Sequence, residues 1–176
     1  MRADELRGLQ APLKDRYRED PDAAVVTLRA GATLGEGVTC SVQTGRALAT
    51  AGLHPASGGD GTALCSGDML LEALAACAGV TMRAVATSLA IPVEGRVTAE
   101  GDLDFRGTLG VDREAPVGFR SIRLRFDLET DAEEARVAKL VELTERYCVV
   151  LQTIAGTPAL SVDWARAEPD GTAAPA

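Results

Sequence analysis

Apolar and polar residues alternate strictly along residues 119–129, which read FRSIRLRFDLE. Ile122, Leu124, Phe126 and Leu128 fall on one face, and serine, arginine and aspartate residues fall on the other. This period of two predicts a strand in a sheet with one solvated face. Further strands are predicted by β-branched and apolar runs at residues 23–30, 37–44, 46–53, 94–105 and 158–166.

Residues 66–89 form a long run that is apolar on nearly every side. Ser66 is a suitable N-cap, Asp68 lies in the first turn where a negative charge is favoured, and Ile91-Pro92 ends the helix. A chain of this size has difficulty surrounding such a helix. We therefore expect a second subunit to cover part of it, in a homodimer.

A second helix is predicted to open at residues 130–133, with Thr130 as its N-cap and Glu133 completing a capping box. Its inner face carries residues at helical spacing: Val137, Leu140, Val141, Thr144, Tyr147 and Cys148. Leu6, Leu9, Leu13 and Tyr17 have the same spacing near the N-terminus, where Pro12 predicts a break or a helix start.

The order of strands and helices predicts an α+β fold. We divide the chain into an N-terminal arm or helix at residues 1–20, a single domain at 21–166, and a disordered tail at 167–176.

The net charge of −8 argues against binding to nucleic acid or to an anionic membrane surface, because like charges repel. No secretory signal is apparent, and residues 69–82, interrupted by Glu72, are too short to cross a bilayer. These features predict a cytoplasmic protein. With His54 as the single histidine and no CxxC pair, we expect neither a metal nor an organic cofactor.

The four cysteines are Cys40, Cys65, Cys77 and Cys148. A reducing compartment disfavours static disulfides, so each is either a buried bystander or a redox-active thiol. Cys77 and Cys148 lie on the apolar faces of the two long helices, which allows their sulfurs to meet. Cys40, in a predicted strand, and Cys65, in a predicted loop, are interpreted as incidental.

The segment CSGDMLLEALAACAGVTMRAVA, followed some 70 residues later by YCVVLQTI, resembles the OsmC/Ohr family of thiol-dependent peroxidases. The resemblance implies antiparallel sheets around two long central helices in an intertwined homodimer. It further implies that Cys77 attacks an organic hydroperoxide and becomes a sulfenic acid. Cys148 then resolves the sulfenic acid to a disulfide, which a dithiol reductant reduces.

The chain departs from the family pattern at three points. Gly67 stands where the family has a glutamate that holds the activating arginine, and Asp68 is the nearest carboxylate. That arginine is either Arg29 or Arg46, since both lie in the early strands. Val149 replaces the proline that follows the resolving cysteine, which leaves Cys148 free to continue its helix.

Two further expectations concern function. His54, in a glycine-rich loop, is a candidate pocket residue, although a structural role is the more common one for such a histidine. The alternative to a peroxidase is a non-catalytic protein of the same fold that binds a small apolar ligand at the dimer interface.

Overall fold

The computed structural model describes residues 3–34, 40–42, 52–62 and 65–166. In chain order its helices and strands are α1 (Ala3–Glu19), β1 (Val25–Leu34), β2 (Cys40–Val42), α2 (Ser66–Ser88), β3 (Glu94–Asp104), α3 (Phe105–Thr108), β4 (Phe119–Glu129), α4 (Glu134–Tyr147) and α5 (Val149–Ala155). Short 3-10 turns lie at Pro21–Ala24 and Pro55–Ser57.

The strands form an antiparallel sheet in the order β2-β1-β3-β4. The alternation predicted for residues 119–129 is confirmed: the apolar side chains of β4 are half-buried and the intervening polar ones are exposed. The outer face is charged, and Arg123 pairs there with Asp102 of β3. The α+β fold class is therefore confirmed.

Helix α2 packs across the inner face of the sheet. Its buried residues lie on one side: Leu71, Leu74, Ala75, Ala78, Gly79, Met82 and Ala86. They share a core with Val97 and Ala99 of β3 and Leu140 of α4. By length and composition alone the 23-residue helix could cross a membrane, with a mean hydropathy of 1.5 over its most apolar 18 residues. Core helices of globular domains meet the same criterion, and α2 lies on a sheet.

Helix α1 is anchored by a second apolar cluster. Tyr17 is buried there with Phe105 and Leu109, and its hydroxyl donates to the Ala56 carbonyl over 2.7 Å. The predicted break at Pro12 is wrong, because α1 continues through this residue.

The predicted helix caps were wrong in both long helices. Cys65 occupies the N-cap position of α2 without a side-chain capping bond. The N-cap of helix α4 is Glu133, three residues later than the predicted Thr130. Thr130 donates instead to the Pro92 carbonyl and accepts from the Ala132 amide, so it stabilises the turn before the helix.

The predicted strand at residues 158–166 is not formed. Its side chains project into solvent, with Leu160, Val162 and Trp164 being 88%, 93% and 83% exposed. A strand requires a hydrogen-bonded neighbour, and the described part of this chain supplies none to the segment. The predicted strand at 46–53 lies mostly outside the described residues, as does the tail at 167–176.

Candidate active site

The structure brings Cys77 and Cys148 together. Cys77 lies in the middle of α2, and Cys148 lies at the junction where α4 ends and α5 begins. The Cys148 thiol hydrogen-bonds to the Cys77 sulfur. Cys148 is completely buried, whereas Cys77 is half-buried. Neither thiol forms a disulfide in this structure.

The junction that positions Cys148 differs from the sequence expectation. Without a proline at 149, the helix was free to continue, but Cys148 instead adopts an extended conformation with φ of −71° and ψ of 104°. Helix α5 then starts at Val149. This bend directs the first amides of α5 toward Cys77. Tyr147, predicted on the inner face of α4, is 57% exposed because it precedes the bend.

The surroundings of the two thiols shift their pKa values in opposite directions. Burial raises the pKa of Cys77, but hydrogen bonds from the Val150 and Val149 amides, the Cys148 thiol and the Thr81 hydroxyl bring it below its ordinary value. Burial raises the pKa of Cys148 to about 11, and the hydrogen bond and negative charge of Cys77 act in the same direction, against the backbone amides of Leu151 and Val150. The first proton therefore leaves Cys77, and Cys148 remains its donor.

The groups that lower the pKa of Cys77 within the described residues are all uncharged hydrogen-bond donors. Arg29 lies in β1, where its backbone is opposite Glu100 of β3. Arg46 lies outside the described residues.

Asp68 is not brought to Cys77. It lies nine residues earlier on α2, which corresponds to about 14 Å along a helix axis. Burial raises the pKa of its carboxyl, and the charge of nearby His54 lowers it. Gly67 is the second residue of the same first turn. Asp68 is thus placed where a carboxylate favours the helix N-terminus, as expected.

His54 has a structural place in the fold. Its Nδ1 accepts a hydrogen bond from the Ala56 amide over 3.0 Å, and its ring stacks on Phe105 at 5.1 Å. Of the two remaining cysteines, Cys65 packs against the core at the start of α2, and Cys40 lies in β2 opposite Leu34.

An apolar groove lies between α2 and α4, one helical turn along α2 from Cys77, and neither cysteine lines it. It has a volume of about 450 Å³ and is lined by Val80, Thr81, Ala84, Val85, Ser88, Leu89, Leu143 and Tyr147. Thr81 links the groove to Cys77 by position, because it lies one helical turn later on the same face of α2 and its hydroxyl lowers the pKa of Cys77. A larger cavity of about 770 Å³ near the C-terminal end of α2 includes Arg83 and Glu129 but neither cysteine.

Sequence reasoning missed Thr81 and the amides of Val149 and Val150. Thr81 had a detectable signal, since a residue four positions after Cys77 lies on the same helix face. The amides had none, because their direction depends on the bend at Cys148.

The fold and the site together define an α+β domain with an unequal thiol pair beside an apolar groove. The sequence matches the family described as OsmC-like protein over residues 59–163, more than half of the chain. The chain therefore belongs to the OsmC-like protein family, and the predicted family is confirmed.

Among solved structures, the fold is similar to that of an OsmC-like hydroperoxide resistance protein from Jannaschia sp. CCS1. The TM-score is 0.53 at 16% sequence identity, over 78% of this chain and 91% of that chain. At this identity the likeness concerns the fold. No curated protein sequence matches this chain.

Proposed function

We propose that this protein is a cysteine-dependent peroxidase that reduces organic hydroperoxides in oxidative stress defence. The observation that carries the proposal is the contact between two thiols whose pKa values are shifted apart, with Cys77 the more acidic. A nucleophile that is ionised beside a protonated partner thiol is the arrangement that peroxide reduction and disulfide formation require in sequence.

The proposed reaction has three steps. The Cys77 thiolate attacks the terminal oxygen of ROOH; the O–O bond breaks, a sulfenic acid forms on Cys77, and the alkoxide takes a proton to leave as ROH. The Cys148 thiol then condenses with the sulfenic acid, which forms the disulfide and releases water. A dithiol reductant reduces that disulfide by thiol–disulfide exchange and is itself oxidised to a disulfide.

The groove favours an organic substrate over hydrogen peroxide. Its lining is mainly aliphatic and includes Thr81, which lies one helical turn after Cys77 on α2, although neither cysteine lines it. Burying an alkyl group releases about 0.8 kcal/mol per methylene, so a hydrophobic hydroperoxide gains binding energy that hydrogen peroxide lacks.

We also propose that the protein acts as a homodimer in the cytoplasm. One exposed face of α2, which we call the outer stripe, carries five apolar residues, with the polar Ser66 and Thr87 at its two ends: Met69, Leu70, Ala73, Val80 and Ala84. The exposed apolar segment 158–166 offers a second surface of the same character. A second copy that covers the outer stripe would also exclude water from Cys77, which lies between Ala73 and Val80 on the helix.

The test is consumption of tert-butyl and cumene hydroperoxide by the reduced protein with a dithiol reductant. We expect Cys77→Ser to abolish turnover. Cys148→Ser should complete a single turnover and accumulate a sulfenic acid that dimedone traps at Cys77. Cys65→Ser serves as the matched control, because Cys65 lies at the start of α2 away from the pair, and it should retain full activity.

The groove also suits the second candidate, a non-catalytic protein that binds a small apolar ligand. That function is favoured if the wild-type protein consumes no hydroperoxide but binds an apolar fluorescent probe, and if the Val80→Asp variant no longer binds the probe. Turnover that persists in Cys77→Ser would refute the proposed nucleophile.

A further inference from the structure

Thr81 is placed both at the reactive sulfur and at the groove. It follows Cys77 by four residues on α2, so the two side chains are neighbours on one helix face, and hydrogen bonding from its hydroxyl lowers the pKa of the Cys77 thiol. The same residue lines the apolar groove together with Val85 and Leu143. Among the residues described as lining that groove, Thr81 is also the one that hydrogen-bonds Cys77.

Other serine and threonine hydroxyls in the helices of this protein donate hydrogen bonds to backbone carbonyls. Thr87 and Thr144 each donate to the carbonyl four residues earlier, over 2.8 Å, and Ser88 does the same over 3.1 Å. Such bonds are the usual local arrangement for Ser and Thr within helices. The Thr81 hydroxyl, in contrast, lowers the pKa of a neighbouring side chain, the proposed nucleophile Cys77.

We propose that Thr81 is a second catalytic side chain, whose hydroxyl holds the Cys77 thiolate in place and marks the point where the groove delivers the hydroperoxide to it. The proposal rests on the peroxidase function proposed above. Its hydroxyl remains protonated throughout: it donates a hydrogen bond to the thiolate, and no bond to Thr81 forms or breaks.

The hydrogen bond has a second consequence for the reaction. A thiolate that is partly buried among apolar helix side chains needs hydrogen-bond donors to replace the water it has lost. Charged groups are costly to bury without hydrogen bonds. Thr81 offers such a donor from α2, and the amides of Val149 and Val150 offer others from α5.

The test compares Thr81→Val, which keeps the shape and removes the donor, with Thr81→Ser, which keeps the donor. Iodoacetamide labelling of Cys77 in the reduced protein, followed by mass spectrometry across pH, reports the thiolate without requiring any peroxidase activity. We expect Thr81→Val to slow labelling at neutral pH by roughly tenfold, the effect of losing one hydrogen bond to a charged group. Thr81→Ser should restore most of the rate.

Thr87→Val is the matched control, because it removes a threonine hydroxyl from the same helix at a site that does not contact Cys77. Labelling in Thr81→Val that equals the wild-type rate, or an equal loss in Thr87→Val, would overturn the role of Thr81. Absence of hydroperoxide turnover by the wild-type protein would refute the proposed function separately, and the labelling comparison would still decide whether Thr81 acts on the thiolate.

Discussion

Burial and hydrogen bonding have opposing effects on the pKa values of the Cys77 and Cys148 thiols, and the net effect differs between the two. Burial alone raises the pKa of any thiol because it disfavours the charged form. Cys77 receives enough donors to reverse this effect, whereas Cys148, fully buried and beside the Cys77 charge, does not. The division of roles between nucleophile and resolving thiol therefore follows from their different surroundings.

This asymmetry predicts the order in which the thiols react. As pH rises through the neutral range, Cys77 should be alkylated first, with a midpoint below that of an ordinary cysteine. Cys148 should become reactive only toward its pKa of about 11. Residue-resolved iodoacetamide labelling of the reduced protein over about pH 6 to 10 measures both.

The Cys77→Ser variant provides the internal comparison for that experiment. It removes the neighbouring negative charge, so the pKa of Cys148 should fall and its labelling at high pH should increase. Labelling of Cys148 ahead of Cys77 in the wild-type protein would contradict the assignment of the nucleophile.

The sequence predicted only some of the residues that stabilise the Cys77 thiolate. The pairing of Cys77 with Cys148 was considered because both lie on apolar helix faces. Asp68 was considered because it is close to Gly67 along the chain, yet helix geometry separates it from Cys77 and burial raises its pKa near His54. Proximity in sequence does not indicate which side of a helix faces a sulfur.

Among the elements, the junction of α4 and α5 determines the chemistry of the site. Cys148 leaves the helical conformation there, and the amides of Val149 and Val150 become donors to Cys77. Residue 149 donates this hydrogen bond only because it is not proline, since proline has no amide hydrogen. The departure of this chain from the family pattern thus adds a donor at the nucleophile.

Val149→Pro should therefore raise the pKa of Cys77. The extended conformation of Cys148 suits a residue before proline, and proline is well tolerated in the first position of a helix, so the fold should be retained. We expect labelling of Cys77 at neutral pH to slow by about tenfold, the effect of one lost hydrogen bond to a charged group.

Val149→Ala is the reference variant because it removes the side chain, which is 70% exposed, but keeps the amide. The prediction concerns the difference between proline and alanine at this position. Equal labelling rates in the two variants would show that the Val149 amide does not act on Cys77.

For the whole molecule, the distribution of apolar surface favours a second subunit. The sheet and α4 cover one side of α2, while the outer stripe and the segment 158–166 remain exposed. The apolar composition of α2 predicted that one chain would leave part of this helix exposed. The outer stripe is such an exposed apolar surface. The homodimer itself remains a prediction.

We expect the protein to sediment as a dimer of 18.3 kDa subunits. Val80→Asp should shift it toward the monomer, because a charge would be buried in the proposed interface. Val117→Asp is the control: Val117 is 67% exposed on the loop between α3 and β4, away from α2. A wild-type protein that sediments as a monomer at micromolar concentration would exclude the dimer.

The sequence by itself determined the α+β class, the alternation of β4, the existence of helices α2 and α4, and the family. These features depend on local periodicity and on order along the chain, which a sequence records directly. Only the tertiary structure decided the bend at Cys148, the placement of Thr81 and the α5 amides at Cys77, the extended course of residues 158–166, and the remoteness of Asp68. Each of these depends on which surfaces pack together, because hydrogen-bond donors and burial act on a thiol through space.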